Sequence, residues 1–226
     1  MVVDLRRIMH SSIYMSQIQM RFLQLLLIGL ASVASVGYAI ENNGSFRSTK
    51  LGLIQQNYSG PAYKSFALGS PGLGVELTLD SGYTIFRYFF KARYTMSEGK
   101  QNFLNAGTVF NSKYTFSQFS PEIGVSFFPI PRREKGVNIF IWGVGTLSYN
   151  NLELKNLPAV TKLQSKEQSF GYGYGGGLGM EFILGTSRGG SRYLAYGELG
   201  FHDEQTDLVN TKFEVSGMTF SLGFGF

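Results

Sequence analysis

Residues suited to acid–base or nucleophilic chemistry are scarce in this sequence. It contains no cysteine, which excludes disulfides, thiolate metal sites and thiol catalysis. Beyond the N-terminal region it has a single histidine, His202, followed by Asp203 and Glu204. A serine nucleophile needs a histidine within hydrogen-bond reach, and His202-Asp203-Glu204 has no serine beside its histidine. We therefore predict no enzymatic activity, no metal site and no cofactor, and interpret His202 as a solvated residue at the lip of a loop.

Charged residues recur instead at alternate positions of otherwise apolar segments. In 84–96, Arg87, Lys91 and Arg93 share one parity, while aromatic residues hold the other. A β-strand places successive side chains on opposite faces, so this pattern predicts a strand with one aromatic and one basic face. The preceding segment alternates in the same way around Glu76, and Asp80-Ser81-Gly82 predicts the turn of a hairpin between the two.

Similar alternation predicts the remaining strands. It is clear in 118–127, 169–182, 192–202 and 217–226, and weaker in 46–56 and 137–149. These segments make about eight strands. We predict short turns at 80–82, 129–136 and 185–191, and longer connections at 57–70, 96–112, 150–168 and 203–210. Such an asymmetry is typical of outer-membrane barrels, which have short periplasmic turns and longer external loops.

The N-terminal region predicts export. Arg21 precedes the apolar run 22–31, and Gly37-Tyr38-Ala39 provides the small residues of a cleavage site. We predict a signal peptide over 1–39, a barrel domain over 40–226, and translation from Met1, Met15 or Met20. A retained anchor is the alternative, but the run is shorter than the roughly 20 residues of a membrane-spanning helix.

Composition agrees with one β-rich domain. The chain is 15% charged and 15% aromatic, with 29 glycines, and its formal net charge of +5 gives no indication of nucleic-acid binding. We predict a closed antiparallel transmembrane β-barrel, all-β in class, because only helices and closed barrels satisfy their backbone groups in lipid.

In such a barrel the strand face that carries the charged residues lines the lumen. Its predicted members are Glu76, Arg87, Lys91, Arg93, Glu122, Glu181, Arg192 and Glu198. These charges either gate a narrow pore or form a salt-bridge plug that fixes the strand register. The glycine row 171–179 leaves room on one wall for a large neighbour such as Tyr196, or for water.

The sequence ends with apolar residues at every second position, Phe220, Leu222, Phe224 and Phe226. This end resembles the C-terminal signal of bacterial outer-membrane proteins, and the whole of 40–226 resembles small eight-stranded barrels of the OmpA, OmpX and OmpW kind. The resemblance implies a bacterial outer-membrane location, recognition of these residues by the barrel-assembly machinery, and contact with outer-membrane lipid and lipopolysaccharide. It implies a structural role in the Gram-negative envelope, with porin-like passage of small solutes as a further expectation.

Three alternatives stay open at this stage. Loops 96–112 and 150–168 carry lysines, asparagines and aromatics suited to a surface ligand. Some barrels of this kind modify lipids, although the His-x-Ser spacing of the lipid A deacylase kind is absent here. A secreted ligand-binding barrel such as a lipocalin would show the same alternation with its faces exchanged.

Overall fold

The structure is a computed structural model. It describes residues 46–59, 70–83, 85–105, 108–133, 135–155, 166–186, 192–208 and 211–226, and the side chains of these ranges except at 46, 101–112, 186, 192, 208 and 211–213. The described residues belong to one compact unit, Gly44–Phe226. The signal peptide and its cleavage site fall outside them and remain predictions.

Antiparallel strands form the whole described architecture. They are β1 (Phe46–Tyr58), β2 (Gly72–Gly82), β3 (Phe86–Asn105), β4 (Thr108–Phe127), β5 (Gly136–Lys155), β6 (Lys166–Thr186), β7 (Arg192–Leu208), β8 (Thr211–Glu214) and β9 (Gly217–Gly225). Each of β1 to β6 pairs with the next strand. β7 pairs with β8 and β9 as well as with β6, and β9 pairs with β1. The short β8 continues into β9, so the two share the eighth position of a closed barrel.

Closure of the barrel provides hydrogen-bond partners for the backbone N–H and C=O groups along the edges of β1 and β9. The ladder runs from Lys50 opposite Gly225 to Tyr58 opposite Gly217. Beyond it, Thr49 and Phe226 exchange backbone hydrogen bonds of 2.8 and 2.9 Å. No helix within the described ranges is long and apolar enough to cross a membrane.

The two faces of the barrel differ in polarity with the period of the strands. The outer face is apolar and exposed, as in β9, where Phe220 is 46% and Phe224 is 69% exposed. The inner face buries polar and charged side chains, of which Glu122 is 0% and Arg93 is 2% exposed. The faces are thus assigned as predicted for a membrane barrel and opposite to those of a lipocalin.

Two apolar groups lie inside the lumen, one towards each end. We call the end where β1 begins and β9 finishes the terminal end, and the opposite end the loop end. Near the terminal end the buried group is Phe89, Phe128, Phe140, Trp142 and Val144. Near the loop end it is Tyr58, Tyr114, Phe116, Leu152 and Leu154.

Several predicted connections are wrong because strands continue through them. The predicted turn 80–82 belongs to β2, and the chain reverses at 83–85. Most of the predicted loop 96–112 is paired strand, from Ser97 opposite Phe116 to Asn105 opposite Thr108. Of the predicted loop 150–168, residues 150–155 belong to β5 and 166–168 to β6, and 203–208 of the predicted loop 203–210 belong to β7. The weakly marked segments 46–56 and 137–149 are strands, as predicted.

Candidate functional site in the barrel lumen

Of the predicted lumenal charges, the seven whose side chains are described lie on the inner face, where they contact one another. All seven are buried at 6% exposure or less, and the side chain of Arg192 is not described. They form three groups stacked from the terminal end to the loop end.

The terminal-end cluster centres on Glu181 of β6. Its carboxylate lies 2.5 Å from Lys50 Nζ of β1 and 3.0 Å from Arg132 Nη2, and it also pairs with Arg87. Asp80 of β2 lies 3.1 Å from Lys50 Nζ and 3.0 Å from Arg87 Nη1. Two buried carboxylates therefore hold three cations that come from different walls.

Aromatic rings pack against the cations of this cluster. The Arg87 guanidinium lies 4.5 Å from the ring centroid of Phe140 and 5.2 Å from that of Phe128. Arg132 lies 5.6 Å from the same Phe128 ring. Cations over aromatic faces gain electrostatic energy without water, so the charges and rings form one continuous packed layer.

The central cluster joins β3 to β7 across the lumen. Lys91 Nζ lies 2.5 Å from Glu198 Oε2 and 3.7 Å from Glu76 Oε2. Glu76 also accepts hydrogen bonds from the Tyr196 hydroxyl at 2.8 Å and the Ser221 hydroxyl at 3.1 Å. Both oxygens of this buried carboxylate thus have partners, which offsets the cost of removing it from water.

The loop-end cluster is organised by Arg93. Its Nε lies 2.5 Å from Glu122 Oε1 and its Nη2 lies 3.0 Å from Glu204 Oε1. Gln118 Nε2 donates to Glu204 Oε2 at 2.9 Å and to Asn150 Oδ1 at 3.0 Å. The charges are followed directly by neutral amides towards the loop end.

His202 belongs to this cluster, and its interpretation as a solvated lip residue is wrong. It is 2% exposed, its Nε2 lies 3.3 Å from Glu122 Oε1, and its ring packs on Trp142 with centroids 5.5 Å apart. β7 continues to Leu208, so His202 and Glu204 point into the lumen and Asp203 lies on the outer face.

The histidine also has a hydroxyl neighbour. Thr219 Oγ1 lies 3.4 Å from His202 Nδ1, which gives a chain of hydroxyl, imidazole and carboxylate. Acyl transfer needs the hydroxyl to reach a substrate, yet Thr219 is 3% exposed. In this conformation the chain ties β9, β7 and β4 together within the lumen.

The glycine row of β6 makes room for these side chains. A Cβ on Gly175 would overlap the His202 ring, one on Gly173 would overlap Glu204, and one on Gly179 would overlap Phe140. Tyr196, the neighbour that the sequence suggests, lies against other glycines on β1 and β9. The row therefore receives large side chains, but different ones from that tyrosine.

Sequence reasoning missed four further charges of the network: Lys50, Asp80, Arg132 and Glu204. Lys50 lies in a weakly alternating segment, and Asp80 and Arg132 fall in predicted turns. Their parity offered a signal, since Lys50 shares the parity of Ser48 and Gln56, all three of which are buried.

The outer face carries the other predicted residues. Phe220, Leu222, Phe224 and Phe226 are all exposed on or beside β9, and their recognition by the assembly machinery remains a prediction. Of the loop residues, Lys100, Lys113, Lys155 and Lys166 are exposed on the strands.

A closed antiparallel barrel with an apolar outer face and a charged, packed lumen defines the class of protein. This is the architecture of small outer-membrane β-barrels, whose alternate residues meet lipid and lumen. The fold class predicted from the sequence is confirmed, and the apolar outer face supports the predicted outer-membrane location.

Comparison with known proteins returns similar folds at low sequence identity. No protein-family model matches the chain, and no curated protein matches it significantly. Neisserial surface protein A is 12% identical with a TM-score of 0.46, covering 81% of this chain and 97% of its own. Ail of Yersinia pestis, solved with the heparin analogue sucrose octasulfate, is 12% identical with a TM-score of 0.45, covering 81% and 99%. OprG of Pseudomonas aeruginosa is 12% identical with a TM-score of 0.48, covering 80% and 94%. At these values no residue role transfers to this chain.

Proposed function

We propose that this protein is a structural component of the outer membrane whose lumen is closed to solutes. The observation that carries the proposal is the set of ion pairs joining β3 to the opposite wall. Lys91 reaches Glu198 and Arg93 reaches Glu204, both on β7, four positions away around the barrel.

A conducting pore would need these pairs to open. Breaking a buried ion pair by removing one partner costs about 3–5 kcal/mol, because it leaves an uncompensated charge. A solute would have to separate buried pairs at three successive clusters, which are themselves packed against apolar side chains such as Phe89, Phe140 and Trp142. This favours the plug over the gate, the two roles that the sequence left open.

Single-channel recording in planar bilayers tests the proposal. The refolded chain, with folding checked by heat-dependent gel mobility, is expected to give no discrete openings. Arg87→Ala and Glu122→Ala serve as companions, because each removes one member of a different cluster. Openings in the wild type whose conductance changes in these variants would overturn the closed-lumen proposal and establish a charged gate.

We also propose that the loop end faces the cell exterior. At the terminal end, three residues separate β2 from β3 and eight separate β4 from β5. At the loop end, thirteen separate β1 from β2 and ten separate β5 from β6, although only two separate β3 from β4. Short turns on the periplasmic side and long loops outside are the rule for these barrels.

The absence of cysteine provides a direct test of orientation. Lys113→Cys and Lys135→Cys place single thiols on exposed positions at opposite ends of the barrel. A membrane-impermeant maleimide applied to intact cells should label the first and spare the second. The reverse pattern would show that the barrel is inserted the other way round.

Surface binding is a second candidate, supported by the length of four strands. β3, β4 and β5 have 20 residues each and β6 has 21, whereas a transmembrane strand needs about 9–11. About half of each strand thus extends beyond the bilayer at the loop end, as a sheet available to a partner.

This candidate is tested by shortening the sheet in register. Lys100 pairs with Lys113, so an Asn-Gly turn replacing 101–112 preserves the hairpin below it. Glu153 pairs with Lys166, which permits the same replacement of 154–165. Adhesion that depends on the sheet should disappear while the barrel still folds; unchanged adhesion would exclude this role.

We propose that the chain is not a lipid-modifying enzyme, on the burial of Thr219 and His202. The test is His202→Ala in a lipid deacylation assay on outer-membrane vesicles. The wild type is expected to be inactive. Wild-type activity that is lost in the variant would restore the enzymatic alternative.

A further inference from the structure

The buried charges of the lumen do not balance. Among the described side chains, the terminal-end cluster has three cations for two carboxylates. The central cluster has Lys91 alone for two carboxylates, and the loop-end cluster has Arg93 alone for another two. A buried charge without a counter-ion is strongly destabilising. The excess of negative charge therefore lies in the two clusters nearer the loop end, where one further cation would stabilise the fold.

Three buried oxygen atoms in the same part of the lumen have no hydrogen-bond partner. They are Glu122 Oε2 and Ser120 Oγ on β4 and Thr146 Oγ1 on β5. These residues are 0%, 1% and 4% exposed, respectively. Buried polar atoms of folded proteins are nearly always paired, and an unpaired one indicates a water molecule or an ion as its partner.

The three oxygens come from adjacent positions of the lumen wall. Thr146 is the direct cross-strand partner of Glu122, which places their Cβ atoms about 5 Å apart on one face. Ser120 lies on the same face of β4, about 7 Å along the strand. Between Ser120 and Glu122, Pro121 has no N–H to donate to β5, and the ladder is interrupted there. A carboxylate and two hydroxyls therefore converge beside a gap in the backbone pairing.

The nearest cations are engaged elsewhere. Lys91 is the direct partner of Glu122, and Arg93 is the direct partner of Ser120. Lys91 Nζ nevertheless lies 2.5 Å from a carboxylate oxygen of Glu198, and Arg93 contacts the other oxygen of Glu122, Oε1, at 2.5 Å. Neither cation is hydrogen-bonded to Glu122 Oε2. This oxygen is therefore available to a ligand.

We propose that Glu122, Ser120 and Thr146 bind one alkali-metal cation inside the lumen. Carboxylate and hydroxyl oxygens are hard ligands, which suit hard cations. A single positive charge offsets the excess carboxylate of the described lumen. Within the described ranges no cluster of three acidic, histidine or cysteine side chains is placed to hold a metal ion. A site with one carboxylate thus suits a singly charged ion better than a divalent one.

Water and a proton each meet only part of what this place requires. Water would hydrogen-bond to the three oxygens but would leave the negative charge uncompensated. A proton on His202, whose Nε2 lies 3.3 Å from Glu122 Oε1, would restore the charge balance. It would leave the hydroxyls of Ser120 and Thr146 without partners. An alkali-metal cation supplies both the charge and the contacts.

The experiment measures urea unfolding of the refolded full-length barrel in lipid vesicles. The buffer contains sodium, potassium or choline chloride at one ionic strength, so that screening of charges is constant. The test variant is Ser120→Ala, Thr146→Val, which removes both hydroxyls. The matched control is Thr78→Val, which removes a buried and unpartnered hydroxyl of β2.

The cation should stabilise the folded barrel by mass action, because the site exists only when β4 and β5 are paired. For the wild type and the control, the equilibrium constant of unfolding should be about tenfold smaller in one of the alkali salts than in choline chloride. This factor corresponds to an ion concentration about ten times the dissociation constant. In the double variant the difference should fall below about twofold.

Three results would overturn the inference. Equal stability of the wild type in all three salts would indicate water at these oxygens. Equal salt dependence of the wild type and the double variant would place the ion elsewhere. Stability that responds to pH but to neither alkali salt, with the response lost in His202→Gln, would assign the balancing charge to a proton.

Folding of each variant is verified by heat-dependent gel mobility. Thr146→Val alone provides the comparison if the double variant does not fold, and it should reduce the salt dependence in the same direction. The readout is separate from the channel recordings, since openings would reject the closed lumen and leave the cation site in place.

Discussion

The inner and outer faces of this barrel are formed by the same strands and have opposite polarity. On β4, Glu122 is 0% exposed and Ile123, its neighbour in sequence, is 74% exposed. In a water-soluble protein the isoleucine would be buried and the glutamate solvated. Here lipid replaces water outside, and ion pairs replace an apolar core for much of the lumen. Stability therefore depends on partner matching inside and on apolarity outside.

The largest effect should come from removing a shared carboxylate on the inner face. Glu181→Ala leaves Lys50, Arg87 and Arg132 with one acid between them, and we expect a loss of about 3–5 kcal/mol of unfolding free energy. Urea unfolding in lipid vesicles, followed by tryptophan fluorescence, measures it. Asp207→Ala, on an exposed residue of β7, is the control. A loss below about 1 kcal/mol would mean that the cluster adds little to stability.

The outer face should respond strongly to charge at mid-membrane. Ile123→Arg places a cation in the lipid-facing band, at an expected cost of about 2–4 kcal/mol. Thr115→Arg is on the same face of the same strand, beyond Phe119 towards the loop end, and should change stability little. The same unfolding assay reports both. Equal effects would show that the bilayer boundary lies elsewhere.

A smaller loss of unfolding free energy is expected when a side chain is added at a glycine of the inner face. Gly175→Val would overlap the His202 ring on the inner face and should cost about 1–3 kcal/mol. Gly145 is on the outer face, where an added Cβ would meet no atom within 4 Å, so Gly145→Val should be tolerated. The ranking of the two melting temperatures in vesicles checks this. A reversed ranking would contradict the assignment of faces at β5 and β6.

The smallest effect belongs to an ion pair outside the lumen. Glu153 and Lys166 are 3.6 Å apart, with 38% and 53% of their side chains exposed. We expect Glu153→Gln to cost about 0.2–1 kcal/mol, and less at high salt because solvent screens the pair. A cost that is large and independent of salt would contradict this contrast with the buried clusters.

The assignment of faces could be predicted from sequence because it depends only on parity. Arg87, Lys91 and Arg93 share a parity opposite to Tyr88 and Tyr94, and this period survives wherever one face meets lipid. The same rule places the predicted charges of the described side chains in the lumen.

Strand ends could not be predicted in this way. On β3 both faces lack apolar residues over 97–102, so the pattern that marks 84–96 disappears although pairing continues to Asn105. Asp80 has the composition of a turn residue, and only its cross-lumen partners Lys50 and Arg87 explain it. The burial of His202 could not be predicted for the same reason, since its partner Glu122 is remote in sequence.

The ladder between β1 and β9 has a consequence for how the chain folds. Neighbouring hairpins pair residues close in sequence, whereas the paired residues Lys50 and Gly225 lie near opposite ends of the barrel sequence. Closing so long a loop costs entropy before any contact compensates for it. The meeting of Thr49 with Phe226 is thus expected to be a late step. Until then β9 presents an unpaired edge, available to the strand of another protein.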